Sequence, residues 1–318
     1  MNRNIALDIL KLAMSLMVVG LHAGFLGEFT SLGQHLTVNG LFRIAVPIFF
    51  IVNGFYFYPV LSKNNQFSWL KRVFILYVFW MASYSYYWFF MPDFSFSEIF
   101  DLSITIIFGY HHLWYLSGII GAAIILIILH RLPSFILVIS IVLTFLGGVL
   151  IQYLGYYHIF EGGFIDELFN YSWFYRNMLF FSYPFFCIGY LINKHSLHNV
   201  VSFKSASILS VLGLFVLLSE SYANYYLSGR DRGFDIFLSL LLVCPFIVIL
   251  FLKSNISGSN KNISLYSSAI YFIHPFLLIV LRKHTGLGET SLTLVTISTS
   301  VLISYFIIKA KKHLKFIL

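Results

Sequence analysis

The feature that most limits how this chain can fold is its succession of apolar runs, each close to the roughly 20 residues a helix needs to cross a bilayer. They fall at residues 5–24, 41–60, 71–91, 113–130, 134–154, 175–192, 204–221, 234–252, 265–282 and 291–309. Hydrocarbon offers the backbone no hydrogen-bond partner, so each run must close its bonds internally as a helix. With 59% hydrophobic and 10% charged residues, the chain is far too poor in charge for a soluble domain, where about a quarter of residues are charged. The expected fold class is all-α: a polytopic transmembrane helical bundle of about 10 spans. Because the link His130–Pro133 is so short, nine spans is the alternative count.

Lys and Arg concentrate in cytoplasmic loops, so their placement gives an independent test of the span count. If the N-terminus is inside, the inner segments carry Arg3, Lys63, Lys71, Arg72, Arg131, Lys194, Lys204, Lys253, Lys261, Lys309, Lys311, Lys312 and Lys315. The outer ends and loops carry only Arg176, Arg230, Arg232, Arg282 and Lys283, together with every acid except Asp8. Both termini are therefore expected to be cytoplasmic. The net charge of +8 is then mostly topological and gives no argument for nucleic acid. Cys187 and Cys244 sit in separate apolar runs without ligand spacing and read as packing residues. No metal site is expected. With no internal repeat and no appended soluble domain evident, residues 1–318 read as one membrane-embedded domain. The length of the first run and its interior Asp8 and Lys11 argue against a cleaved leader.

The first run, LDILKLAMSLMVVGLHAG, carries an acid, an ammonium and an imidazole where lipid would favour none. His22 follows Lys11 by eleven positions, so on a helix they point about 20° apart and lie roughly 16 Å apart along the axis. A charge at mid-membrane costs about 2.5–3.5 kcal/mol on the insertion scale, so such a stripe should face a protein interior or watery cavity. Pairing of Asp8 with Lys11 at i, i+3 is the purely structural alternative.

Other runs supply polar residues at similar depth. Arg43 opens the second run, His111 and His112 open the fourth, and Arg176 opens the sixth, each at the outer end. The ninth run places His274 near mid-membrane beside Pro275, which is expected to free a backbone carbonyl to line a cavity. Trp114, Tyr115, Trp173 and Tyr175 also lie near outer ends, where an aromatic belt or the floor of a sugar site would put them.

These residues carry a resemblance. The chain resembles the integral-membrane acyltransferase family 3, through the spacing of Lys11 to His22 and through R-x-x-V-P-x-F-F-x-x-N-G from Arg43 to Gly54. His112-Leu-Trp114-Tyr-Leu and Tyr271-x-x-His274 follow in the family's order. Asn53 stands where the family usually has Ser, a departure that leaves the helix-packing role of Gly54 intact.

The resemblance implies transfer of an acyl group, usually acetyl from acetyl-coenzyme A, to a hydroxyl of a glycan or lipid-linked oligosaccharide at a bacterial plasma or inner membrane. His22 would act as general base or acyl carrier, since imidazole titrates near neutral pH. Arg43 would stabilise an oxyanion or hold donor phosphate, and Lys11 would hold an anionic part of the donor. His112, Trp114, Arg176 and His274 would contact the acceptor. A glycolipid transporter or flippase, with Asp8, Lys11 and His274 on a proton or substrate path, is one alternative. A polyprenyl-phosphate-sugar glycosyltransferase is the other. It would need an acid base at the outer surface, where the first loop offers only Glu28.

Overall fold

The computed structural model describes residues 3–90, 95–227, 233–254, 256–258, 262–314 and 316–318. Met91, Arg230, Arg232, Lys261 and Lys315, which entered the span and sidedness readings, lie outside the described residues, as does the side chain of Arg3. The first half comprises α1 (Ala6–Ala23), α2 (Ser31–Val38), α3 (Ala45–Ser62), α4 (Gln66–Ser83), α5 (Ser85–Trp88), α6 (Phe96–Phe108), α7 (Trp114–Leu129) and α8 (Ser134–Tyr156). The second half comprises α9 (Phe164–Asn170), α10 (Ser172–Tyr175), α11 (Tyr183–Lys194), α12 (Leu197–Val200), α13 (Phe203–Tyr226), α14 (Leu240–Lys253), α15 (Asn262–His284) and α16 (Glu289–Ala310). Strand β1 (Arg3–Asn4) pairs antiparallel with β2 (Ser257–Gly258) and ties the start of α1 to the approach to α15.

The fold is a helical bundle, and every expected apolar run holds a helix. Among the described residues, seven helices are long and apolar enough to cross a membrane by length and composition. The other three runs depart from that standard for visible reasons. Helix α4 carries Lys71 and Arg72, α14 has 14 residues, and the sixth run is a π turn (Met178–Ser182) continued by α11. Asn177 caps that turn by accepting from the backbone N–H groups of Leu179 (2.9 Å) and Phe180 (3.0 Å). Helices α2, α6, α9 and α12 lie between the expected runs, and α10 ends on the first residue of the sixth. No side chain of α6 is buried, and Phe96, Ile99, Phe100, Ile106 and Ile107 are exposed along it.

Two glycines set the central crossing. A Cβ on Gly54 of α3 would lie 1.8 Å from the Phe186 carbonyl oxygen, and one on Gly189 of α11 would lie 1.9 Å from that of Ile51. Only hydrogen fits at either place, so the two backbones approach as small residues allow in membrane bundles. The packing role read for Gly54 is thus realised, while Asn53 is more than a tolerated substitute. Its amide donates to the Tyr115 hydroxyl and the Phe49 carbonyl, each at 2.8 Å.

Helices α8, α13 and α16 leave broad apolar faces exposed, including Leu143, Phe215 and Leu302. A soluble monomer rarely exposes so much apolar surface; in a bilayer these faces meet acyl chains. Inward, α16 presents the small polar residues Thr296, Ser300 and Ser304, all fully buried.

Candidate active site

Helix α1 ends at Gly24, whose left-handed conformation (φ 88°) stops the helix one turn beyond Gly20. His22 therefore sits in the last turn, and Arg282 of α15 donates to its backbone carbonyl at 2.7 Å. The imidazole makes no side-chain hydrogen bond among the described residues and lines a small cavity of about 50 Å³.

Three more imidazoles surround it. The ring centre of His22 lies 4.7 Å from that of His111 and 5.4 Å from that of His274, and His112 lies 5.5 Å from His274. The turn that delivers His111 and His112 is sharply bent: Gly109 has φ 89° and His111 has φ 48°. A non-glycine residue held in that region costs about 1–3 kcal/mol and persists only where its surroundings require it. Here the bend leaves His111 against His22 and His112 against His274.

His274 depends on a second local distortion. Pro275 interrupts the α15 hydrogen-bond ladder, and the Tyr84 hydroxyl enters the gap, accepting from the Phe276 N–H (3.3 Å) and donating to the Phe272 carbonyl (2.7 Å). The Phe272 carbonyl beside the proline is thus taken by the Tyr84 hydroxyl. A hydrogen bond from His274 Nδ1 to the Ile270 carbonyl (3.1 Å) puts the proton there and leaves Nε2 as an acceptor with no partner among the described residues. Neither ring nitrogen of His112 has one either. Its carbonyl, however, accepts from Tyr271 at 2.7 Å.

The cationic side of the cavity is a shared ion pair. Arg43 binds Asp235 and also donates to Asn39 Oδ1 at 2.6 Å. Arg176 binds the other Asp235 oxygen at 2.8 Å and lies 4.8 Å over the Trp114 ring. Gln152, fully buried on α8, fixes Asp235 through the backbone. Its amide oxygen accepts from the N–H groups of Asp235 (2.9 Å) and Ile236 (3.0 Å), and its nitrogen donates to the Ile236 carbonyl (2.8 Å). This clamp accounts for α14 beginning at Leu240, although the apolar run begins at 234. Two guanidiniums and one carboxylate leave one net positive charge beside His22.

Lys11 lies in a second cavity of about 190 Å³, lined also by Asn53, Tyr115, Ser267 and Leu116. It pairs with Asp8 at 3.2 Å and donates to Ser264. The structural alternative of an i, i+3 pair is therefore present, and Lys11 lines a cavity as well. Tyr271 lines both this cavity and the His22 chamber.

The structure thus gathers His22, Arg43, His112, Trp114 and Arg176 around one chamber, stacks His274 on His22, and puts Lys11 in the adjoining cavity. Sequence reasoning missed Asp235, Gln152 and the contact of His111. Asp235 carried the same signal as Arg43, a charge opening an apolar run, but reads as one more outer-loop acid until its two arginine partners are known.

A family model described as an acyltransferase domain matches residues 4–309. A serine/alanine racemase of Enterococcus gallinarum is 26% identical over 307 residues, covering 87% of this chain and 41% of that protein. An amino-acid racemase of Enterococcus faecalis is 22% identical over 344 residues, covering 97% of this chain and 46% of that protein. The chain thus spans less than half the length of these curated relatives. No solved structure matches. With the family's pattern extending over nearly all of its residues, the chain belongs to the integral-membrane acyltransferase family 3.

Proposed function

We propose that this membrane acyltransferase moves an acetyl group from cytoplasmic acetyl-coenzyme A to a hydroxyl of a cell-surface or lipid-linked glycan. The observation that carries the reading is the pairing of a His22 chamber with a Lys11 cavity through the one residue Tyr271. Such a pairing suits a donor and an acceptor that approach from opposite ends of the bundle.

In this reading the acceptor hydroxyl gives its proton to His22 as its oxygen attacks the thioester carbonyl. The oxyanion of the tetrahedral intermediate is stabilised by the positive charge that Arg43 and Arg176 retain after pairing with Asp235. Collapse expels the coenzyme A sulfur, which takes the proton back from His22. The products are an O-acetyl ester and free coenzyme A. Lys11 holds an anionic part of the donor, while His112, Trp114, Arg176 and His274 shape the acceptor side. The small His22 chamber favours acetyl over a longer acyl group. A route through acyl-His22 uses the same residues in two steps.

The test is release of free coenzyme A by the protein in lipid nanodiscs, dependent on glycan and on His22. Mass spectrometry of the surface glycan from cells with and without the protein completes it. Absence of both signals overturns the reading. Similarity to a protein named serine/alanine racemase makes the hydroxyl of serine the second acceptor class, read in the same assay.

A further inference from the structure

Trp114 and Arg176 stand in the wall of the His22 chamber. Both residues also line a neighbouring cavity of about 220 Å³ that includes His111, Ser172 and Trp173. Ser172 and Trp173 in turn line a third space of about 540 Å³ formed with His158, Asp166, Asn170 and Tyr171. Volumes of this order fall near or within the 300–1,000 Å³ of small-molecule sites. Through these shared residues the three spaces adjoin in series, a groove that runs away from His22.

The far end of the groove has a chemistry of its own. Asp166 is 93% buried, taking its 7% side-chain exposure, and lines the third space. Its Oδ2 is bound by His158 Nδ1 at 2.6 Å, whereas Oδ1 has no hydrogen-bond partner among the described residues. A buried carboxylate oxygen left without a donor is costly, and a ligand hydroxyl is the donor that would satisfy it. Between Asp166 and Arg176, the rings of Tyr171 and Trp173 stand 5.7 Å apart with planes 25° from parallel. Such an aromatic strip suits the apolar C–H face of a pyranose, and the adjoining carboxylate its hydroxyl edge. Asp166 and Glu167 line this space with no lysine or arginine among its described lining residues, which disfavours an anionic sugar there.

We propose that this groove is a carbohydrate-binding site that holds a neutral or amino sugar on Tyr171, Trp173 and Asp166 while a neighbouring unit of the same chain presents its hydroxyl to His22. The acceptor is then an oligosaccharide of at least two units, recognised away from the point of transfer. The inference rests on the glycan reading above and narrows it to a chain.

The experiment uses the full-length protein in nanodiscs and, as probe, surface polysaccharide of the producing cells cut by mild acid into fragments of one to six sugars. Binding is read by isothermal titration calorimetry and transfer by coenzyme A release. Fragments of two or more sugars should bind at least 10-fold more tightly than single sugars. Trp173→Ala and the near-isosteric Asp166→Asn should each bring that ratio close to one, with size-exclusion profiles reporting on folding. Retention of the full length preference in both folded variants, or equal binding of one and six sugars by the wild type, overturns the groove. Length-dependent binding without any coenzyme A release upholds the groove and overturns acyl transfer, so the two failures are distinct.

Discussion

Arg43 and Arg176, which open the second and sixth apolar runs, bind the two oxygens of a single carboxylate, that of Asp235. Each guanidinium is further fixed on its other side, by Asn39 in one case and by the face of Trp114 in the other. Charge that is already oriented stabilises a developing oxyanion without reorganising during reaction. This arrangement also makes the carboxylate indispensable to both cations.

Asp235→Asn should therefore lower both stability and turnover. Removing one member of a buried ion pair costs about 3–5 kcal/mol because the remaining charge is left uncompensated, and here two guanidiniums would face each other. Thermal inactivation in detergent should move several degrees lower, with Asp235→Glu recovering part of the loss. Wild-type melting of Asp235→Asn would show that the pair carries no structural weight.

His22→Ala should insert and fold normally yet lose acylation, since a positioned general base contributes about 100- to 10,000-fold. His111 and His274 lie within ring contact of His22 but on other elements, so neither takes its place. Coenzyme A release by the purified variant measures this directly. Near-normal turnover in a folded sample would remove the catalytic role.

Lys11 should respond to charge more than to shape. Lys11→Arg keeps a cation beside Asp8 and is expected to retain much of the activity, whereas Lys11→Ala should raise the apparent KM for donor. Complete and equal loss in both variants would contradict a charge-holding role.

Gly54→Ala tests the central crossing independently of chemistry. Its added methyl would lie 1.8 Å from the Phe186 carbonyl oxygen, and overpacking of this kind costs about 1–3 kcal/mol or more. Reduced yield of monodisperse protein and a lower melting temperature are expected. Unchanged values would mean that α3 and α11 separate at little cost.

Sidedness can be read by labelling. Cysteines placed at Glu28 or Asp101 should react with an impermeant thiol reagent outside intact spheroplasts, and those at Lys63 or Lys194 only after permeabilisation. The reverse pattern would invert the proposed route of the acyl group.

The helical class and the position of nearly every membrane run were legible in the sequence because hydrocarbon leaves an apolar stretch no other structure. The eleven-residue interval from Lys11 to His22 was legible for the same geometric reason: helical periodicity fixes a common stripe. What could not be read was pairing between distant runs. Asp235 between two arginines, Gln152 holding its backbone and Tyr84 filling the gap at Pro275 are contacts of tertiary structure, for which no local pattern exists. Helix α6 escaped because its apolar residues alternate with Ser, Glu and Asp, and so form one face instead of a run.

Tyr271 gives the arrangement its last meaning. The His22 chamber and the Lys11 cavity meet at this side chain, which is held in place by its hydroxyl bond to the His112 carbonyl. An open bore through such a bundle would let protons flow and discharge the electrochemical gradient on which the cell runs. With a tyrosine as the bulkhead, the proposed reaction would hand its acyl group across while the electrical insulation of the bilayer stays whole.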